Sequence, residues 1–173
     1  MKKTLMILAA FAALFAWAAN AATPNTWWVD DTYYGAAVQN GSEDYPFGTI
    51  LAAVTNTACQ AGDTIKVKPG TYDKDYYLYD DGTRQARVRV YINKKVNIVA
   101  TGKKEETHIV GHWSSAEEEG GENTYHSGPM AVKCVFVTDD GQDSTLTGFT
   151  LRDGASIKVN GDFTIVCGGA IGV

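Results

Sequence analysis

From Thr64 onward the sequence consists of short β-type runs of three to seven residues, and Gly, Asp or Asn separates nearly every run from the next. Within several runs apolar and polar residues alternate, as Val88 and Val90 do with Arg87 and Arg89. Such alternation predicts strands with one buried face, and the frequent turn residues keep each strand short. The pattern therefore predicts an all-β fold, and it fits a sandwich, a barrel or a β-solenoid equally well.

Residues 49–59 differ from the rest because their apolar positions have helical spacing. Ile50, Ala53 and Val54 recur three and four residues apart, and Thr49 supplies an N-cap side chain. The turn residues Gly62 and Asp63 follow. The sequence therefore predicts one short amphipathic helix ahead of the strands.

The first 21 residues have the parts of a secretory signal peptide. Lys2 and Lys3 precede an uncharged apolar run at residues 5–18, and Ala19-Asn20-Ala21 gives the small-x-small cleavage pattern. The run is shorter than the roughly 20 residues that a membrane-spanning helix needs. We therefore predict a signal peptide at residues 1–21 cleaved before Ala22, a secreted or cell-surface location, and no transmembrane segment in the mature chain.

The charge balance argues against a nucleic-acid partner. The chain has 15 Lys and Arg against 20 Asp and Glu, a net charge of −5, and loss of the signal peptide makes it −7. A nucleic-acid-binding protein ordinarily carries a basic surface that neutralises phosphates. We therefore expect no nucleic-acid partner.

The three cysteines do not indicate a metal site or a disulfide framework. Cys59, Cys134 and Cys167 are widely spaced, odd in number and without a CxxC motif. Cys134 and Cys167 lie in apolar runs, which favours core positions. A Cys134–Cys167 disulfide remains an alternative.

A weak internal repeat favours the solenoid among the all-β architectures. Residues 95–102 resemble residues 144–151, and each segment follows a turn and precedes a polar corner. Equivalent strands on successive coils of a solenoid would produce such a repeat. Residues 113–129, which are acidic and rich in Gly, would then form a projecting loop.

The order of motifs resembles the N-terminal part of right-handed parallel β-helix proteins of the pectate-lyase-like and polymorphic outer-membrane-protein-like kind. Four strings carry the resemblance, namely Trp28-Val29-Asp30, AGDTIKVKPGTY at residues 61–72, Gly148-Phe149-Thr150, and GGAI at residues 168–171. The resemblance implies a strand-and-helix cap at residues 22–63 and the first coils of a β-helix at residues 64–173. Because GGAI resembles a coil that would continue, the expectation is a β-helix truncated at its C-terminus.

The resemblance leaves two functions open, since such proteins include lyases, glycoside hydrolases and non-catalytic surface proteins. The GGAI string favours a non-catalytic secreted or cell-surface protein that presents loops for adhesion or glycan contact, and no catalytic residue is predicted. The alternative is the N-terminal part of a polysaccharide lyase or glycoside hydrolase whose active site lies on later coils.

An aromatic and acidic stretch after the first strands, which is expected to form a corner loop, supplies candidate glycan-binding residues. Tyr76, Tyr77 and Tyr79 have the composition used for stacking on sugar rings, although aromatic rings also anchor loops. Arg87 and Arg89, on the polar face of their strand, have the donors needed to bind a sugar carboxylate. An ordinary solvent-exposed strand face would show the same residues.

A cluster of acidic residues near residue 140 is the candidate metal site. Asp139, Asp140 and Asp143 offer oxygen ligands at close spacing, which calcium accepts, but they lack the EF-hand pattern. Asp-Gly clusters are also common in solvated turns. No other cofactor is expected.

Overall fold

A computed structural model describes residues 25–82, 85–114, 130–155 and 171–172. The predicted signal peptide, Cys167 and nearly all of the predicted 113–129 loop lie outside these residues.

Strands dominate the described residues, which confirms the all-β class. The strands are β1 (Thr26–Val29), β2 (Thr64–Val67), β3 (Gly70–Tyr72), β4 (Tyr77–Asp80), β5 (Gln85–Ile92), β6 (Asn97–Ala100), β7 (Thr107–Val110), β8 (Val132–Val137), β9 (Thr145–Thr147), β10 (Thr150–Arg152) and β11 (Ile171–Gly172). The helix α1 spans Ile50–Thr55, and 3-10 turns lie at Asp31–Tyr33 and Asp139–Gly141. In the described part of the chain, no helix has the length and apolar character to cross a membrane.

The strands form three sheets that the chain visits in a repeating order. The first sheet has the order β1-β2-β6-β9, the second β10-β7-β3 and the third β11-β8-β5-β4. After β1 the chain passes through the first, second and third sheets in that order three times. Neighbouring strands are parallel, with the exception of β4 and β5.

The two segments of the predicted internal repeat are neighbours in the first sheet. β6 and β9 pair in parallel, with Ile98 opposite Leu146. Ile98 in turn lies opposite Ile65 of β2. The pairing register differs by one residue from the alignment of the two repeat segments, which would set Ile98 opposite Thr147. The observed register puts the apolar side chains of Ile65, Ile98 and Leu146 next to one another.

The interior is filled by β-branched residues from all three sheets. Ile65, Ile92, Ile98 and Ile109 are each at most 1% exposed and belong to one apolar cluster. Burying such a side chain stabilises the fold by roughly 1.5–3 kcal/mol relative to leaving it exposed. The alternation in the sequence therefore predicts the buried face correctly.

The helix α1 begins where the sequence predicts but ends earlier than expected. The Thr49 hydroxyl accepts a hydrogen bond from the Ala52 backbone N–H at 3.1 Å, as an N-cap residue does. The Asn56 side chain accepts a bond from the Ala58 N–H at 2.8 Å and so starts a turn. The helix therefore ends at Thr55, short of residue 59, where the predicted helical stretch ends.

A buried carboxylate, Asp63, joins β1 to the loop after α1. Asp63 is 2% exposed and accepts hydrogen bonds from the Asn25 N–H (2.8 Å), Trp27 Nε1 (2.8 Å) and the Gln60 N–H (2.9 Å). Burial by itself raises the pKa of Asp63, but these hydrogen bonds outweigh it and hold the pKa below its ordinary value. Asp63 is therefore charged in the folded protein at neutral pH.

Two of the three cysteines, Cys59 and Cys134, are buried thiols, and for Cys134 this agrees with its predicted core position. Cys59 and Cys134 are each at most 1% exposed. The Cys134 thiol lies 3.4 Å from the Ile109 carbonyl oxygen and 3.2 Å from that of Arg152. Burial raises the pKa of both thiols.

We expect both thiols to resist alkylation in the folded protein, because the reactive thiolate is disfavoured and the sulfur is inaccessible. Iodoacetamide treatment followed by peptide mass spectrometry should find Cys59 and Cys134 unmodified in native protein and modified in urea without a reductant. If Cys134 stayed unmodified in urea until a reductant was added, it would be in a disulfide and not a free core thiol.

Candidate functional site

The candidate site is a hairpin at one edge of the third sheet. β4 pairs antiparallel with β5, so that Tyr77 lies opposite Val88 and Tyr79 opposite Ala86. Part of the stretch expected to be a corner loop is thus a strand. The pairing holds the β4 tyrosines at fixed positions beside the longest strand of the described residues.

The hairpin packs its aromatic rings against the next strand of the sheet. The Tyr77 and Tyr91 rings are stacked, with centroids 4.0 Å apart and an angle of 9° between their planes. Tyr79 lies 4.6 Å from the Phe136 ring of β8, which also pairs in register with Tyr91. We call Tyr77, Tyr79, Tyr91 and Phe136 the aromatic patch.

The aromatic patch has an exposed ring over a buried one. Tyr77 is 37% exposed, whereas Phe136 is 9% exposed and packs with Ala86 and Val88 in an apolar cluster separate from the main interior. Stacking on Tyr91 fixes the plane of the Tyr77 ring. The patch therefore presents an ordered aromatic face to solvent, with a preferred geometry for stacking.

Arg87 lies beside Tyr76, on the face of the hairpin opposite the aromatic patch, since it pairs with Leu78 whereas Tyr77 pairs with Val88. Its guanidinium carbon is 5.4 Å from the Tyr76 ring centroid, within cation–π range. Its Nε and Nη1 atoms are buried and neither has a hydrogen-bond partner. Buried polar groups are ordinarily paired, so this guanidinium is an exception.

Arg89, two residues along β5, has its donors occupied. Its Nε donates to the Val110 carbonyl at 2.8 Å, and its Nη1 donates to the Asp75 carbonyl. Burial lowers the pKa of Arg89. These contacts tie the segment before β4 to the end of β7, so the geometry favours a structural role for Arg89 over the predicted glycan contact.

The structure brings together two of the five predicted glycan-binding residues and adds two that were not predicted. Tyr77 and Tyr79 share one face of the hairpin, whereas Tyr76 and Arg87 meet on the opposite face and Arg89 is engaged by backbone carbonyls. The additions are Tyr91 and Phe136. Tyr91 has a sequence signal, since it continues the alternation of Arg87 and Arg89, but Phe136 joins only through the pairing of β5 with β8.

Tyr34 is a further exposed ring that sequence reasoning missed. It is 47% exposed, and its hydroxyl donates to Asp75 Oδ1 at 2.9 Å, which raises the pKa of Tyr34. Asp75 directly precedes Tyr76 and has a positive φ of 55°. Contacts from both Tyr34 and Arg89 therefore hold the backbone just before the aromatic patch.

The predicted calcium ligands are not grouped as a metal site. Asp139 and Asp140 lie in a 3-10 turn, and the Asp143 carboxylate is 3.8 Å from Lys95 Nζ. No three His, Cys, Asp or Glu side chains of the described residues come together in a way that would hold a metal ion. Calcium binding stays a prediction without geometric support.

Comparisons of the chain with protein-family models, with curated proteins and with solved structures find no match.

Proposed function

We propose that the chain is a non-catalytic, exported protein of the cell surface that binds glycans through the aromatic patch, on the scaffold of a right-handed parallel β-helix. Its export rests on the signal-peptide pattern of residues 1–21. The patch lies on the hairpin at one edge of the third sheet.

The repeating order of the sheets supports the β-helix. Three passages through the same three sheets, with parallel pairing between successive passages, are what a parallel β-helix requires. Connections between parallel strands of one sheet are right-handed in nearly all proteins, because the strand twist favours that hand. The handedness of the proposed scaffold follows from this rule.

The observation that carries the proposed function is the exposed Tyr77 ring stacked on Tyr91 at 4.0 Å. The C–H face of a sugar ring is apolar and flat enough to stack on an aromatic ring. A ring that is already ordered loses little conformational entropy when a ligand binds. The exposed apolar area also has a stability cost that a binding function would explain.

We expect Tyr77→Ala to weaken glycan binding about tenfold or more, because it removes the exposed stacking ring, worth roughly 1.5 kcal/mol. The test is calorimetric titration of the mature protein with hexamers of glucose, galactose and mannose, each in neutral, C6-carboxylate and O6-sulfate form. Tyr45→Ala is the matched control, since Tyr45 is 50% exposed and outside the aromatic patch.

The proposal fails if the wild-type protein binds none of these hexamers, or if Tyr77→Ala binds as tightly as Tyr45→Ala. The same mixtures also test the non-catalytic part of the proposal. We expect the hexamers to remain intact after long incubation, and the appearance of shorter or unsaturated products would favour the lyase or hydrolase alternative.

A further inference from the structure

Tyr77 and Tyr91 are the closest pair of aromatic rings in the described residues. Their centroids are 4.0 Å apart with 9° between the ring planes, whereas Tyr79 lies 6.1 Å from Tyr91 with 38° between the planes. We propose that Tyr77 and Tyr91 are an oxidative cross-linking site, at which hydrogen peroxide and a peroxidase join the two rings as dityrosine. This inference goes beyond the proposed function and does not depend on glycan binding.

The stack brings the reactive atoms of the two phenols together. One-electron oxidation of a tyrosine, with loss of the phenol proton, places the unpaired electron on the oxygen and on the two ortho ring carbons. Burial raises the pKa of Tyr91, and the neighbouring Tyr77 phenol raises it further, which agrees with hydroxyls on the same side of the stack. Rings stacked at this distance are in van der Waals contact, so an ortho carbon of each ring faces the other ring.

The pair is accessible to an oxidant through Tyr77. Tyr77 is 37% exposed, and Tyr91 is half-buried against it. Tyr77 therefore loses the first electron, the stacked Tyr91 reduces the Tyr77 radical, and Tyr77 is then oxidised again. No other strand of the described residues pairs with the outer edge of β4, so Tyr77 is free to make the small movement that a carbon–carbon bond requires.

The coupling consumes one molecule of hydrogen peroxide. Each ring loses one ortho hydrogen, a bond forms between the two ortho carbons, and both phenol hydroxyls are retained. The two hydrogens reduce the peroxide to two molecules of water. Because Tyr77 begins β4 and Tyr91 lies near the end of β5, the new bond closes the open end of the hairpin and prevents the edge strand from leaving the sheet.

Treatment of the mature protein with hydrogen peroxide and a haem peroxidase tests the inference, at a low protein concentration that favours reaction within one molecule. We expect the monomer to gain dityrosine fluorescence and to lose the mass of two hydrogen atoms. After digestion with trypsin, the peptide of residues 75–84, which contains Tyr77, should be joined to the peptide of residues 90–94, which contains Tyr91.

Tyr77→Phe and Tyr91→Phe keep an aromatic ring but remove the phenol, so each should abolish the cross-linked peptide. Tyr79→Phe is the matched control on the same strand, and it should retain the cross-link because the Tyr79 ring is farther from Tyr91.

A monomer without dityrosine, or dityrosine found only between molecules, would overturn the inference. Persistence of the cross-linked peptide in Tyr77→Phe, or its loss in Tyr79→Phe, would also overturn it. The titrations with hexamers use no oxidant, so they test the proposed function separately from this inference.

Discussion

Gly111→Ala is expected to lower the free energy of unfolding by about 3 kcal/mol, the largest effect among the substitutions considered. A Cβ atom at this position would lie 2.3 Å from the Val132 carbonyl oxygen, 2.5 Å from Gly154 Cα and 2.8 Å from the Asp153 carbonyl oxygen. All three neighbours are backbone atoms, so a change of side-chain rotamer cannot relieve the overlap.

The backbone around Gly111 is held by hydrogen bonds between successive passages of the chain. The Val132 carbonyl accepts from the His112 N–H at 3.0 Å and from the Ala155 N–H at 3.1 Å, and the Gly111 N–H donates to the Arg152 carbonyl at 3.0 Å. Relief of the overlap would stretch several of these bonds together. We therefore expect a loss of stability at the upper end of the range that overpacking substitutions cause.

The effect of Gly111→Ala is measured by urea denaturation, with Gly35→Ala as the control. Gly35 has a φ of +78° and open space around the position of a Cβ. Gly35→Ala should lower the free energy of unfolding by only about 1 kcal/mol, because the left-handed backbone conformation is the only feature that disfavours a Cβ there. Equal losses of stability in the two variants would contradict the close packing at Gly111.

Asp63→Ala is expected to lower the free energy of unfolding by about 2 kcal/mol and the melting temperature by about 6 °C. The substitution leaves the Asn25 N–H, Trp27 Nε1 and the Gln60 N–H without their acceptor. Because the indole of Trp27 is one of these donors, tryptophan fluorescence reports on the site during denaturation.

The contribution of Asp63 should also depend on pH. Its folded-state pKa is lowered from an ordinary value of 3.8, so its stabilising effect is present above about pH 4 and is lost as the pH falls toward the folded-state pKa. The Asp63→Asn variant has no titratable group at position 63, so it is the matched control for the pH dependence of the wild-type protein. The stability difference between wild type and Asp63→Asn should be smaller at pH 3 than at pH 7. An equal difference at both values would mean that the charge of Asp63 does not stabilise the fold.

The sequence predicts the local structure well, because local structure depends on neighbours along the chain. Alternation at Val88 and Val90 predicts their burial, and the spacing after Thr49 predicts the start of α1. Asp63 was assigned only to the end of the helix, since its partners Asn25 and Trp27 are almost 40 residues away. Its role as a buried acceptor depends on the pairing of β1 with β2.

The sequence predicts most of the residue types of the candidate site but not which of these residues contact one another. The sequence indicates Arg87 and Arg89 equally, because both alternate with buried valines. Only the folded chain places the Val110 and Asp75 carbonyls against Arg89 and leaves Arg87 unpaired. Phe136 was likewise missed, because its contact with Tyr79 requires two passages of the chain to lie side by side.

The most direct test of the proposed glycan-binding surface is fluorine NMR of protein labelled with 3-fluorotyrosine. The chain has nine tyrosines, and single Tyr→Phe variants would assign their signals. On titration with the tightest-binding hexamer, the signals of Tyr77 and Tyr91 should shift to saturation, while that of Tyr45 stays in place. Saturable binding that left the Tyr77 and Tyr91 signals unmoved would contradict the assignment of the aromatic patch as the binding surface.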